Sequence, residues 1–190
     1  MCSWCWGFQT ELEKLRASLP KDVSLQFVMG GLAADSNEPM PAEIQSYVQQ
    51  AWREVHKHTG AVFNWDFWEK CQPRRSTYPS CRAVLTAGLT STEHERSMFE
   101  ALQRAYYLEA RNPSLEVTLI ELASEIGLDV QRFTEDLRSP CVEELFREHR
   151  ARRRSLGANS FPSLVLEEAN GESRCIMRGS GTASEILAQL

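Results

Sequence analysis

MCSWCWGF, residues 1–8, is the stretch on which the reading of this chain turns: two cysteines, Cys2 and Cys5, separated by Ser3 and Trp4. From Trp6 onward the apolar positions Trp6, Phe8, Leu12, Leu15 and Leu19 recur at three- and four-residue steps until Pro20 stops them. The spacing predicts a helix that begins at or inside the cysteine motif. Next comes VSLQFVM, residues 23–29, an apolar and β-branched run closed by Gly30-Gly31, which predicts a buried strand. The order is therefore Cys-x-x-Cys, helix, strand. Such a motif normally sits where a strand hands over to a helix, and no strand-like segment stands ahead of Cys2.

The chemistry of the pair follows from its place. A thiolate attacks a disulfide and a thiol scarcely does, so the site needs something that stabilises negative sulfur. The unpaired N–H groups and positive end of a helix N-terminus do this. Cys2, just outside the first turn, is the candidate nucleophile, and Cys5, one turn on and more covered, is the candidate resolving thiol. Ser3 and Trp4 between them tune the thiolate and border the substrate. Two other readings stay open: inert thiols, or half of a zinc site. The remaining zinc ligands would be Cys71 and Cys81 or His56 and His58, neither pair at the spacing of a second knuckle. On a helix, His56 and His58 point apart.

The totals set the frame. At 190 residues, 42% hydrophobic and 25% charged, the composition is that of an ordinary globular chain able to bury a core without covalent staples. A formal net charge of −5 offers no general attraction to nucleic acid. No apolar run reaches the roughly 20 residues that span a bilayer. A basic, then apolar, leader is missing from the start of the sequence as written. The six cysteines are too sparse for a disulfide scaffold, so most are expected as free thiols in a reducing compartment. These features lead to the expectation of a cytoplasmic protein with neither nucleic-acid nor membrane partners.

Residues 32–41 are rich in turn formers, and Pro41 opens a predicted helix that Gly60 ends. More helical segments follow: SCRAVLTAGL, a run capped by Thr92 with Glu95 three residues on, SLEVTLIELASEIGL, DVQRFTEDLRS and PCVEELFREHRARRRSLG. After these, SFPSLVLEE and ESRCIMRG read as two strands joined at Asn170-Gly171, whose positive φ values suit a tight hairpin. TASEILAQL closes the sequence as a helix capped by Thr182. At the entrance of the first of these strands stands Phe161-Pro162. A cis bond there would let the neighbouring N–H and C=O pair with an extended peptide beside the cysteines, and would keep a metal away from the two thiols. The alternative is a trans proline that merely starts an edge strand.

Taken together, CSWCWGF, YPSCRAVL, AYYLEARNPS and SFPSLVLEE resemble the DsbA family of thioredoxin-fold proteins over nearly the whole chain. The branch they are most similar to is the FrnE-like one, related to kappa-class glutathione transferases and 2-hydroxychromene-2-carboxylate isomerases. The resemblance implies an α/β thioredoxin fold interrupted by a helical domain: residues 1–40 and 156–190 form the thioredoxin part, and residues 41–155 the insertion. It makes Cys2 the attacking cysteine, Cys5 the buried one, and Phe161-Pro162 the cis-proline dipeptide opposite them. In that family a central strand precedes the motif. Its lack here leads to the expectation of a shortened sequence, with residues 23–29 and the hairpin facing a gap; a strand donated by another chain, or a fold that tolerates a frayed edge, are the alternatives.

The implied activity is thiol–disulfide exchange with protein or glutathione partners, glutathione being a candidate redox partner and no cofactor being tightly bound. Glutathione-dependent isomerase or transferase chemistry uses a single serine or cysteine at the helix start, so retention of both cysteines argues against it. A non-catalytic binding module is the remaining class. Three further features have a functional and a plain reading. Arg147, Arg150, Arg152, Arg153 and Arg154 read as a docking patch for an anionic partner or as a solvated helix end. Phe63, Trp65, Phe67 and Trp68 read as a cleft lining or as packing against the inserted helices. Cys71 and Cys81 read as a second redox pair or as separate small apolar residues.

Overall fold

The structure is a computed structural model describing residues 1–190. Its first two helices, α1 (Ser3–Gly7) and α2 (Gln9–Ser18), join head to tail. Phe8 N–H donates to Trp4 O at 3.0 Å and Leu12 N–H to Phe8 O at 2.9 Å, so the ladder runs through the junction. No strand precedes α1. The helical block then runs α3 (Ala42–Thr59), α4 (Phe67–Lys70), α5 (Tyr78–Gly88), α6 (Thr92–Tyr107), α7 (Glu116–Glu125), α8 (Val130–Leu137) and α9 (Pro140–Ser155). The chain closes with β1 (Ser163–Glu167), β2 (Ser173–Arg178) and α10 (Ala183–Leu187).

Local signals placed most of these ends. Gly60 takes the left-handed conformation at φ 74° that terminates α3. Thr182 and Glu185 form a reciprocal capping box at α10. At α6 the cap lies one residue earlier than expected: Ser91, in extended backbone, accepts the N–H of His94, while Thr92 is already helical. The hairpin turn also differs from expectation. Gly171 alone has positive φ, at 88°, and its N–H donates to Glu168 O, so Asn170 keeps an ordinary conformation. β1 and β2 pair antiparallel with a bulge between Leu164 and Val165, and they make up the only sheet.

Residues 23–29 do not form the expected strand. They run extended with their ends pinned, Val23 N–H on Pro20 O at 3.0 Å and Met29 N–H on His149 Nδ1 at 3.2 Å. No backbone hydrogen bond is made by residues 24–28. A strand is a pairing, and what faces this run is a mostly apolar cavity of about 530 Å³ that separates it from β1. Cys5, Phe8 and Leu12 form its floor.

Three apolar clusters hold the molecule. Helices α5–α9 share the largest, with Val84, Leu102, Leu119 and Phe146 at its heart. Phe8, Leu12 and Leu15 of the first helices pack on Met177 and Ile186, and the Glu11 carboxylate accepts the Ala183 N–H at 2.8 Å. The third gathers rings around Trp52, which is fully buried. Phe63, Phe67, Trp68, Tyr106 and Tyr107 all lie with ring centroids within 6.0 Å of it. Gly7 lets α1 lie on α3: a Cβ there would stand 2.6 Å from Val55 Cγ1.

Candidate active site

Cys2 is the N-cap of α1, in extended backbone with φ −108° and ψ 113°. That conformation turns its sulfur back over the first turn, where it accepts the Cys5 N–H at 3.3 Å. In its protonated form it also donates to Phe161 O at 3.6 Å. All six cysteines are free, so this is the dithiol form, with both thiols of the motif half-buried.

The two sulfurs are driven apart in acidity. The Cys5 thiol donates to Cys2, and this outweighs burial to pull Cys2 below the ordinary thiol range, with help from the N–H groups of Cys5 and Trp4. The same bond, then burial, then the negative charge of Cys2 push Cys5 well above that range. One thiol is thus poised to ionise and the other to keep its proton. That asymmetry suits attack by Cys2 and later attack by Cys5.

Across from the cysteines the Phe161-Pro162 peptide bond is cis. Pro162 O accepts the Gly179 N–H at 2.8 Å, tying the loop to the end of β2. The Phe161 ring packs against Gly30, where an added Cβ would come within 2.0 Å of Cε1, and the Arg153 guanidinium sits 5.8 Å from the ring centre. Gly30 was read in the sequence only as a strand end; the ring it must admit lies far along the chain.

The structure brings Cys2, Ser3, Trp4 and Phe161 to one cavity of about 330 Å³. Cys5 and Pro162 face the opposite side, lining the cavity beside residues 23–29. Trp4 is partly engaged by the helical block, its ring 5.8 Å from that of His58. Arg74, Arg75 and Tyr47 also border the Cys2 cavity, and no local pattern in the sequence marks them.

Most of the arginine patch on α9 is used within the fold. Arg147 pairs with Glu144 at 2.5 Å and Arg152 with Glu167 at 2.6 Å, while Arg150 lies 4.6 Å over the Tyr78 ring. The aromatic residues 63, 67 and 68 pack around Trp52, and Trp65 lies partly exposed beside it. Cys71 donates to Ala110 O at 3.0 Å beside the Trp52 cluster. Cys81 packs against the largest cluster, its pKa pushed up to about 11 by burial. Both thiols are free and sit against separate clusters. His56 and His58 spend their Nδ1 atoms on the carbonyls of Ala61 and Glu54. No group of three or more His, Cys, Asp or Glu side chains is arranged to hold a metal ion.

A family model described as thioredoxin matches residues 1–184. The chain belongs to the thioredoxin family. Its fold is a thioredoxin fold carrying helical additions, and its relation to DsbA-type proteins is seen in the solved structures it matches. A candidate protein disulfide isomerase from Nitrosomonas europaea superimposes with a TM-score of 0.86 at 27% identity, over 98% of this chain and 89% of that one. The cytosolic disulfide reductase DsbM from Pseudomonas aeruginosa, solved with GSH, gives 0.76 at 23% identity over 93% and 85%. Among curated relatives, the ClpXP adapter protein SpxH of Halalkalibacterium halodurans is 24% identical over 90% of this thioredoxin-family chain. The chain spans only 56% of that relative's length. No helix is long and apolar enough to cross a membrane.

Proposed function

We propose that this thioredoxin-family chain is a cytoplasmic enzyme of thiol–disulfide exchange in which Cys2 attacks and Cys5 resolves. The observation that supports it most is the place of Cys2 at the N-cap of α1, where its sulfur accepts the Cys5 N–H at 3.3 Å and faces the Phe161 carbonyl. Cys2 thiolate attacks one sulfur of a substrate disulfide, a Cys2–substrate S–S bond forms, and the other half leaves as a thiolate that takes up a proton. Cys5 then gives up its proton and attacks Cys2, expelling the second half as thiolate. The substrate is reduced by two electrons and the pair becomes a Cys2–Cys5 disulfide, which two equivalents of a further thiol such as glutathione return to the dithiol, leaving as their own disulfide. Ser3, Trp4, Phe161 and Pro162 border the approach. The GSH bound by DsbM and the description of DsbM as cytosolic favour this partner and this compartment.

The test is reduction of a protein disulfide, followed by turbidity of the released chains, with Cys5→Ser used to trap the intermediate. The reading expects catalysis by the native chain, none by Cys2→Ser, and a covalent mixed disulfide accumulating on Cys5→Ser. Activity that survives Cys5→Ser and requires glutathione would move the assignment to isomerase or transferase chemistry.

The match to SpxH favours a second reading, an adapter that delivers a client to a protease. It predicts partner binding that Cys2→Ser/Cys5→Ser leaves intact, with no disulfide turnover by the native chain.

A further inference from the structure

One face of α9 carries Phe146, His149 and Arg153 at three- and four-residue steps, and residues 29–31 lie against it. An added Cβ at Gly31 would stand 3.0 Å from Phe146 Cζ, and one at Gly30 would stand 3.1 Å from Arg153 Cδ. Between these two contacts along the helix, His149 Nδ1 accepts the Met29 N–H at 3.2 Å. Across residues 24–32 no backbone group bonds to another backbone group. The polar ties of this run are therefore the Met29 bond and the Gly31 N–H that faces the Cys81 sulfur. Met29 is buried, where an N–H left without a partner is costly.

We infer that His149 is a positioning residue of the Cys2 site, that it holds Phe161 opposite the nucleophile through Met29 and Gly30, and that protonation of its ring loosens this hold. Such a role presupposes the thiol–disulfide exchange reading, to which it adds a regulation of the same site. Every link is a contact. His149 fixes Met29, the next residue Gly30 seats the Phe161 ring, and Phe161 O accepts the Cys2 thiol at 3.6 Å. Nδ1 accepts a hydrogen bond only while it carries no proton, so the ring that ties Met29 is neutral, with its hydrogen on Nε2. A proton on Nδ1 sets one donor against another, and the buried Met29 N–H is left unpaired.

The surroundings set the direction of the switch. Residues 23–31 carry no charged side chain. On α9 itself Glu148, Arg152 and Arg153 stand nearest in sequence; Arg152 is paired with Glu167 of β1 at 2.6 Å, and from α5 Arg82 is held by Asp35 and Glu143. Burial, and after it the charge of Arg152, lower the pKa of His149, while Glu148 opposes them. Proton uptake is thus deferred to below the ordinary histidine value of about 6.5. The folded chain binds that proton less readily than the unfolded one, so the tie is present above this value and is lost as the pH falls.

The experiment uses the full chain and two variants: His149→Asn, which keeps an acceptor oxygen where Nδ1 stands but does not titrate, and His149→Phe, which keeps a ring and removes the acceptor. Nitrogen NMR of the native chain should find the His149 ring neutral at neutral pH with its hydrogen on Nε2. On acidification its Phe161 ring resonances should move together with the His149 titration, and Met29 amide protection should fall about tenfold, the worth of one buried hydrogen bond. In His149→Asn both should stay fixed over the same range. Turnover of a protein disulfide at neutral pH should fall about fivefold in His149→Phe of native circular dichroism and return to within about twofold of native in His149→Asn. A hydrogen on Nδ1 at neutral pH, Phe161 resonances that ignore His149, or undiminished turnover in His149→Phe overturns the inference. If the native chain turns over no disulfide while Phe161 still follows His149, the exchange reading fails and the hold on Phe161 stands.

Discussion

At Cys2 the competition is between burial, which favours the neutral thiol, and three donors, which favour sulfur as an anion; the donors win, led by the Cys5 thiol. A lowered pKa means a larger thiolate fraction at a given pH below the usual thiol value of roughly 8.5. Iodoacetamide at mildly acidic pH should therefore modify Cys2 and spare Cys5, as read by peptide mass spectrometry. In Cys5→Ala the S–H donor is gone while the backbone N–H remains, so the alkylation profile of Cys2 should move to higher pH. An unmoved profile would mean that the backbone alone sets the acidity. Gly30 is the second residue on which the site depends. Gly30→Ala forces the Phe161 ring off its seat, an overpacking cost of about 1–3 kcal/mol, and shifts Phe161 O away from the Cys2 sulfur. The expected result is a lowered melting temperature together with a loss of disulfide turnover larger than unfolding accounts for. Cys2, Cys5 and Phe161-Pro162 were readable because each announces itself locally, by a two-residue spacing or an aromatic-proline pair. Gly30, Arg74 and Arg75 acquire their meaning only from neighbours distant in sequence, and no local pattern marks them.

Among the elements, residues 23–29 teach the most. Their apolar, β-branched composition does encode an extended chain, and the chain is extended; composition cannot supply the neighbour that would make a ladder. Native-state hydrogen exchange should therefore find the amides of residues 24–28 much less protected than the β1 amides bonded to β2. Strong protection across 24–28 would mean that the segment pairs with another strand. The cap of α6 is a smaller case of the same kind. Ser91 and Thr92 are both able to cap, and what decides is which one has extended backbone, a property set by the turn that precedes them. The helices of the block, by contrast, were legible from periodicity, from Gly60 and from Pro41, because those signals act within a turn or two.

For the molecule as a whole, Trp52 is the fixed point. It joins α3 to the aromatic residues that follow it and to α6, and its cluster supports Trp4 and Trp6 on the first helix. Trp52→Ala should cost about 3–5 kcal/mol in denaturant unfolding, as large-to-small changes in cores do. Trp52→Phe should cost less, since the indole N–H has no hydrogen-bond partner to lose. A Trp52→Ala variant as stable as the native chain would show that the cluster is not a core. The two ends of the sequence pack directly on each other, with the helical block lying between them along the chain: the contact between Cys2 and Phe161 spans 159 positions. A ribosome adding about 5–20 residues per second needs roughly 8–30 s to cover that separation. Throughout that interval the nascent Cys2 has no Phe161 carbonyl opposite it, so the newborn polypeptide carries both cysteines of the motif well before the loop that faces them exists.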